Sequence, residues 1–286
     1  EYSDVLESVA GFAGPGSGFC YTGSYTNNLD IEPMCFHSSG GPCPYELTMC
    51  SPLIDAGHPD EEYFDLDGTI SDIGAIHFAH EGMYVQKPKV SGLWDAARSP
   101  VWVNIDAEIP EGGQLVIDPG VEVIFTKDHS FTVKGSLKAS GEFDNKIRFR
   151  PYDRSLGWSG IRFMPQTGRS ERSQLIYCLI SGANPKGPEQ ADNMGGGILI
   201  FGRDNVLVSY CQIFDNCCGS LTGVYTGGGG IGIINASPTL IHNSITGNHA
   251  PDFGGGIAMV DANPVMHHNL IAGNSAGKGG GALSIS

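Results

Sequence analysis

The sequence predicts an all-β chain whose later part winds as a parallel β-helix, with three short strands in each coil. Three observations predict it. A glycine-led phrase recurs as Gly195-Gly196-Gly197-Ile198, Gly228-Gly229-Gly230-Ile231, Gly254-Gly255-Gly256-Ile257 and Gly279-Gly280-Gly281-Ala282. Its last residues stand 33, 26 and 25 positions apart, and self-similarity at such a period marks stacked supersecondary units. A second phrase runs in phase with it: Cys178-Leu179-Ile180, Cys211-Gln212-Ile213, Asn243-Ser244-Ile245 and Asn269-Leu270-Ile271. Finally, no segment carries an amphipathic helical stripe of useful length.

The elements follow in order. Residues 1–80 are loop-rich, acidic and cysteine-containing, and residues 81–92, with Lys87-Pro88-Lys89, read as a linker. Residues 93–157 read as a cap and first rungs. Their short β-rich runs are Leu115 to Ile117, Val121 to Phe125, Phe131 to Val133, Leu137 to Ala139 and Ile147 to Phe149, most of them separated by turn residues. Residues 158–286 read as regular coils that continue past 286, ending here in an uncapped rung, Ala282 to Ser286.

Stacking at the ordinary strand spacing of about 4.8 Å turns equivalent positions into columns. Ile180, Ile213, Ile245 and Ile271 should line the interior, with Leu175, Val208, Leu240 and Met266 as a second apolar set. Cys178, Cys211, Asn243 and Asn269 should share a corner, where asparagine amides satisfy one another and the turning backbone. Asp215-Asn216, Gly247-Asn248 and Gly273-Asn274 follow as turns.

Composition narrows the functions. The 286 residues carry a formal net charge of −15, which disfavours nucleic acid and anionic membrane surfaces as partners. No stretch approaches the 18 apolar residues of a membrane span. The 42 glycines are about twice the average share, fitting many tight corners. Cys20, Cys35, Cys43 and Cys50 lack zinc-type spacing, so a disulfide framework or free thiols are the readings left. Cys178 and Cys211, neighbours in one column, are either a bridge or stacked thiols.

Ser51-Pro52-Leu53-Ile54-Asp55-Ala56-Gly57, then Asp65-Leu66-Asp67-Gly68-Thr69 and Asp72-Ile73-Gly74-Ala75, resembles the closing motif of secreted bacterial right-handed parallel β-helix repeat proteins of the pectate-lyase-like fold. Leu93-Trp94, Ser99-Pro100-Val101 and Leu115 to Val121 resemble the opening of another such domain. The glycine-led coils resemble polymorphic outer-membrane-protein repeats. The resemblance implies a right-handed coil, with 1–80 as the end of a preceding module. It also implies a place outside the cell or on a bacterial surface. It says little about activity, because this fold hosts lyases, hydrolases, epimerases, adhesins and fibres.

Three constellations are candidates for chemistry or binding. Asp60, Glu62, Asp65, Asp67 and Asp72 form the densest carboxylate cluster, whose hard oxygens suit a structural calcium, without EF-hand spacing. Tyr177, Tyr210, His242 and His268 share one register and predict a surface stack that could seat a sugar. The acids of the regular coils, Asp192, Asp204, Asp215, Asp252 and Asp261, fall in different registers, with Arg203 and Lys278 as the bases beside them. That scatter disfavours a paired-carboxylate active site. The expectation is a non-catalytic structural or adhesive protein, needing no cofactor beyond that calcium. It would bind glycan or a cell-surface protein, or assemble end to end or into a larger envelope complex. A polysaccharide lyase, hydrolase or epimerase is the alternative.

Overall fold

The computed structural model describes residues 3, 27–31, 47, 51–60, 70–74, 82–168 and 171–286. The chain forms two compact units, Glu1–Glu81 and Gly82–Ser286. In the first, Leu47, Leu53 and Ile73 are buried together, with Leu29, Ile31, Ile54 and Ala56 against them. The Ile73 amide donates to the Leu53 carbonyl at 2.9 Å, and the Gly57 amide to that of Ser71 at 2.7 Å.

The second unit is a parallel β-helix. Each coil visits three sheets in turn. The first sheet contains Ala107–Ile109, Phe131–Val133, Ile161–Phe163, Ile198–Phe201, Ile231–Ile234, Ile257–Val260 and Leu283–Ile285. The second runs from Gly92–Trp94 to Val265–His267, and the third from Met83–Tyr84 to Leu270–Ala272. All their strand pairs are parallel, as when each strand meets its counterpart one coil away.

The predicted columns hold in register. Ile180 pairs with Ile213, Ile213 with Ile245, and Ile245 with Ile271. Leu175, Val208, Leu240 and Met266 align likewise. Side chains alternate across a strand, so Ile213 is buried while its neighbour Gln212 is exposed. Aromatic rings fill the earlier coils. The Phe125 and Trp158 rings stack with centroids 4.0 Å apart, and the Trp158 Nε1 hydrogen donates to the Ser181 carbonyl at 2.9 Å.

Two differences from the sequence reading stand out. Residues within the expected linker 81–92 belong to the β-helix. Met83–Tyr84 pairs with Val101–Val103, Gly92–Trp94 pairs with Gln114–Ile117, and Val85 and Val90 are buried. The last coil is also shifted by one position. Ile257 pairs with Leu283, not Ala282, so the final spacing is again 26. Gly279 bridges Phe253 in the preceding loop, and the left-handed glycine equivalent to Gly254 (φ 59°) is Gly280 (φ 65°). An inward apolar residue decides register, because a one-residue slip would turn every side chain to the other face.

Corners are built from single left-handed residues. Tyr177, Tyr210, His242 and His268 bend the chain between the second and third sheets at φ 49–56°. Gly182, Asp215, Gly247 and Gly273 bend it where it leaves the third sheet, at φ 54–70°. The next residue turns inward in each later coil. There the Asn216 side chain donates to Asn248 Oδ1 at 3.0 Å, and Asn248 donates to Asn274 Oδ1 at 3.0 Å. A parallel ladder links Asn243 to Asn269 Oδ1 at 2.9 Å. The glycine column opposite makes room: a Cβ on Gly256 would lie 2.9 Å from Asn274 Nδ2.

Candidate functional site

The aromatic stripe exists. Tyr177, Tyr210, His242 and His268 stack ring on ring, with centroids 4.9, 4.8 and 4.7 Å apart and planes within 20° of parallel. That geometry changes its reading. Each inner ring has both faces covered by its neighbours, and Phe143 meets Tyr177 edge-on at 6.4 Å. Sugars pack on aromatic faces, and the stripe offers solvent mainly edges. It serves the corner, lining up four strained left-handed residues along the axis.

The corner column beside it is reduced. Cys178 and Cys211 are free thiols rather than a bridge, and the Cys178 amide donates to Cys211 Sγ at 3.4 Å. Burial, with Cys211 alongside, pushes the Cys178 thiol well up. Such a thiol is a poor nucleophile. Cys20, Cys35, Cys43 and Cys50 lie outside the described residues, as do Glu62, Asp65 and Asp67 of the acidic cluster. Of the rest, Asp72 Oδ1 accepts the Asp55 amide at 2.9 Å, and Asp60 Oδ2 stands 3.6 Å from His58 Nδ1. Among the described residues, no three histidine, cysteine or acidic side chains gather as a metal site.

The coil acids have structural partners or turn positions. Asp204 Oδ1 accepts the Ser237 amide, and Asp261 is a left-handed corner at φ 47°. Asp252 is buried and holds the Lys278 ammonium at 2.7 Å, with Ser220 and Thr226 hydroxyls donating to its other oxygen. Burial pushes its carboxyl up, but these donors outweigh burial and hold it below the usual carboxylate range. Arg203 is also buried. Its guanidinium donates to the Val133 and Gly135 carbonyls and the Ser173 hydroxyl, tying three coils together.

Two concave features stand out among the described residues. A groove of about 500 Å³ crosses the outer face of the third sheet over three coils, lined by Gln212, Phe214, Asp215, Ser244, Thr246 and Ala272. Register places Gln212 beside Ser244, Phe214 beside Thr246, and Thr246 beside Ala272. An amide and hydroxyls thus alternate with an aromatic ring on one rigid surface. Asp215 at its edge stands 3.5 Å from Arg154 Nη1.

No family model, curated protein or solved structure matches the chain. What these two features do must therefore be read from their geometry.

The second feature is a pocket of about 330 Å³ on the outer face of the first sheet. Glu108, Thr132, Arg162 and Leu199 form one outward column across four coils. Lys186 and Asp192, on the loop that follows the third-sheet strand Cys178–Ser181, also line it. Lys134 Nζ and Glu108 Oε2 are 2.8 Å apart, so those charges cancel. Sequence reasoning, occupied with Arg203 and Lys278, missed this constellation. The one signal was Arg162 itself, a charged residue in the column that carries Leu199, Gly232 and Ala258 in later coils.

Proposed function

We propose that the chain is a non-catalytic, exported β-helix scaffold that binds glycan along its third sheet. The groove carries this reading. Gln212, Ser244 and Thr246 supply neutral donors and acceptors at the repeat of the coils, and Phe214 supplies a ring for an apolar sugar face. The carboxylate at its edge is engaged by Arg154, at 3.5 Å. Rigid strands hold these groups in place, which keeps the entropy cost of binding low. The resemblance to secreted bacterial β-helix proteins supports a site outside the cell or on its surface, within a larger modular or envelope assembly.

The test is titration calorimetry against a panel of neutral and acidic oligosaccharides, with product analysis of the same mixtures. Wild type should bind at least one of them saturably and leave it intact. Phe214→Ala should weaken that binding tenfold or more, given the ~1–3 kcal/mol that an aromatic anchor contributes. Absence of saturable binding across the panel would overturn the reading. Release of shortened or unsaturated products would replace it with the lyase or hydrolase alternative.

A further inference from the structure

Arg162 is a buried cation with no carboxylate at ion-pair distance among the described residues; Asp192 attracts it only from farther off. Arg162 is 6% exposed in the middle of the first sheet's outer face. Its Nε donates to the Ser159 carbonyl, and its Nη1 donates to the carbonyls of Met194 and Gly195. All three acceptors are neutral. No carboxylate oxygen of the described residues lies within ion-pair distance of it, and its Nη2 has no partner. Burying an unpaired charge is costly, and burial pushes the guanidinium down to about 10.

The surroundings supply what a ligand would need. The pocket holds Arg162 and Lys186 against Asp192, once Lys134 and Glu108 have neutralised each other at 2.8 Å. Asp192 offsets part of that charge, with one oxygen, Oδ2, engaged by the Glu189 amide at 3.0 Å. A pocket with surplus positive charge is unusual on a chain of net charge −15, and it concentrates any anion small enough to enter. Thr132 adds a hydroxyl to the wall.

We propose that this pocket takes an oxyanion, a carboxylate or sulfate group, held between Arg162 Nη2 and Lys186. Arg162 keeps its three backbone bonds and spends the two remaining N–H donors of Nη2 on the ligand, while Lys186 contributes a second charge from the loop. Because Nη2 is closed off from solvent, the anion enters as the loop bearing Pro185 to Asp192 moves outward, and then holds that loop down. This site is on a different sheet from the groove, and neither reading depends on the other.

The experiment follows thermal unfolding and calorimetry of the whole chain with sodium sulfate and, separately, with a uronic acid monosaccharide. Sodium chloride at matched ionic strength is the control. At least one oxyanion should raise the midpoint saturably where chloride does not, and should slow amide exchange in the 185–194 loop. Tighter binding of sulfate supports a free or sulfated ligand; tighter binding of the uronate supports an acidic sugar. Lys186→Gln should weaken binding about tenfold. Because Lys186 is exposed, that variant folds even if Arg162→Gln does not, and Phe214→Ala should leave the response unchanged. Equal affinity in Lys186→Gln, or no response beyond that of chloride, overturns the proposal.

Discussion

At the scale of single residues, the β-helix is held by polar groups in places where apolar ones would be expected. Asp252 is the sharpest case: a carboxylate 3% exposed that gathers two hydroxyls from the loop of the preceding coil and one ammonium from the loop of the following one. Its folded-state affinity for a proton is lowered. The resulting stability is therefore present above the unfolded carboxylate pKa of about 4 and is lost as pH falls through the lower folded value. Asp252→Asn should cost about 2 kcal/mol at pH 7, in the range of hydrogen bonds to charged groups. That cost should begin to fade below about pH 4 and vanish only below the lower folded value, where both chains carry a neutral side chain at this position. Urea titrations at the two pH values check it; an equal loss at both would mean that the carboxylate charge contributes nothing.

At the scale of elements, the asparagine ladder does for the corners what strand pairing does for the sheets. Asn248 alone accepts from the Asn216 amide, donates to the Ile213 carbonyl at 2.9 Å, and donates to Asn274. Replacing it by alanine would orphan several buried groups at ~1–3 kcal/mol each. Asn248→Ala should therefore lose on the order of 3 kcal/mol of unfolding free energy in denaturant titration; a loss under ~0.5 kcal/mol would show that the neighbours rearrange to pair without it. The columns and the Asn243–Asn269 ladder were legible because one coil repeats another: Ile213, Ile245 and Asn243 announce themselves by their spacing, whereas Asn216, Asn248 and Asn274 read only as turn residues. Leu283 was not, because a loop glycine completed a false triplet one position early. The stripe's register was legible from Tyr210 and His242. The stacking that covers the faces of its inner rings was not, since whether rings stack on each other or face solvent depends on side-chain torsion, which spacing does not encode. Arg162 and Lys186 were the hardest, for their meeting depends on the path of a loop that has no repeat.

At the scale of the whole molecule, Gly82–Ser286 is quasi-one-dimensional: its core runs unbroken from Val85 to Met259, with Leu283 packed on its end. Each coil touches chiefly the one before and the one after, so stability accumulates as a sum of interfaces. Stacking of this kind also has a mechanical meaning. A force that peels the last coil from its neighbour loads one interface at a time, because nothing further along the rod shares the strain. In an optical trap the chain should then give way in a sawtooth. The last two coils, 26 residues each, should each release about 90 Å of contour, and the longer coil before them correspondingly more. Rupture in a single step would show that tension spreads across the stack. A stepwise record would mean that the rod behaves under load as a chain of separate fuses, able to lengthen at one end while the rest stays folded.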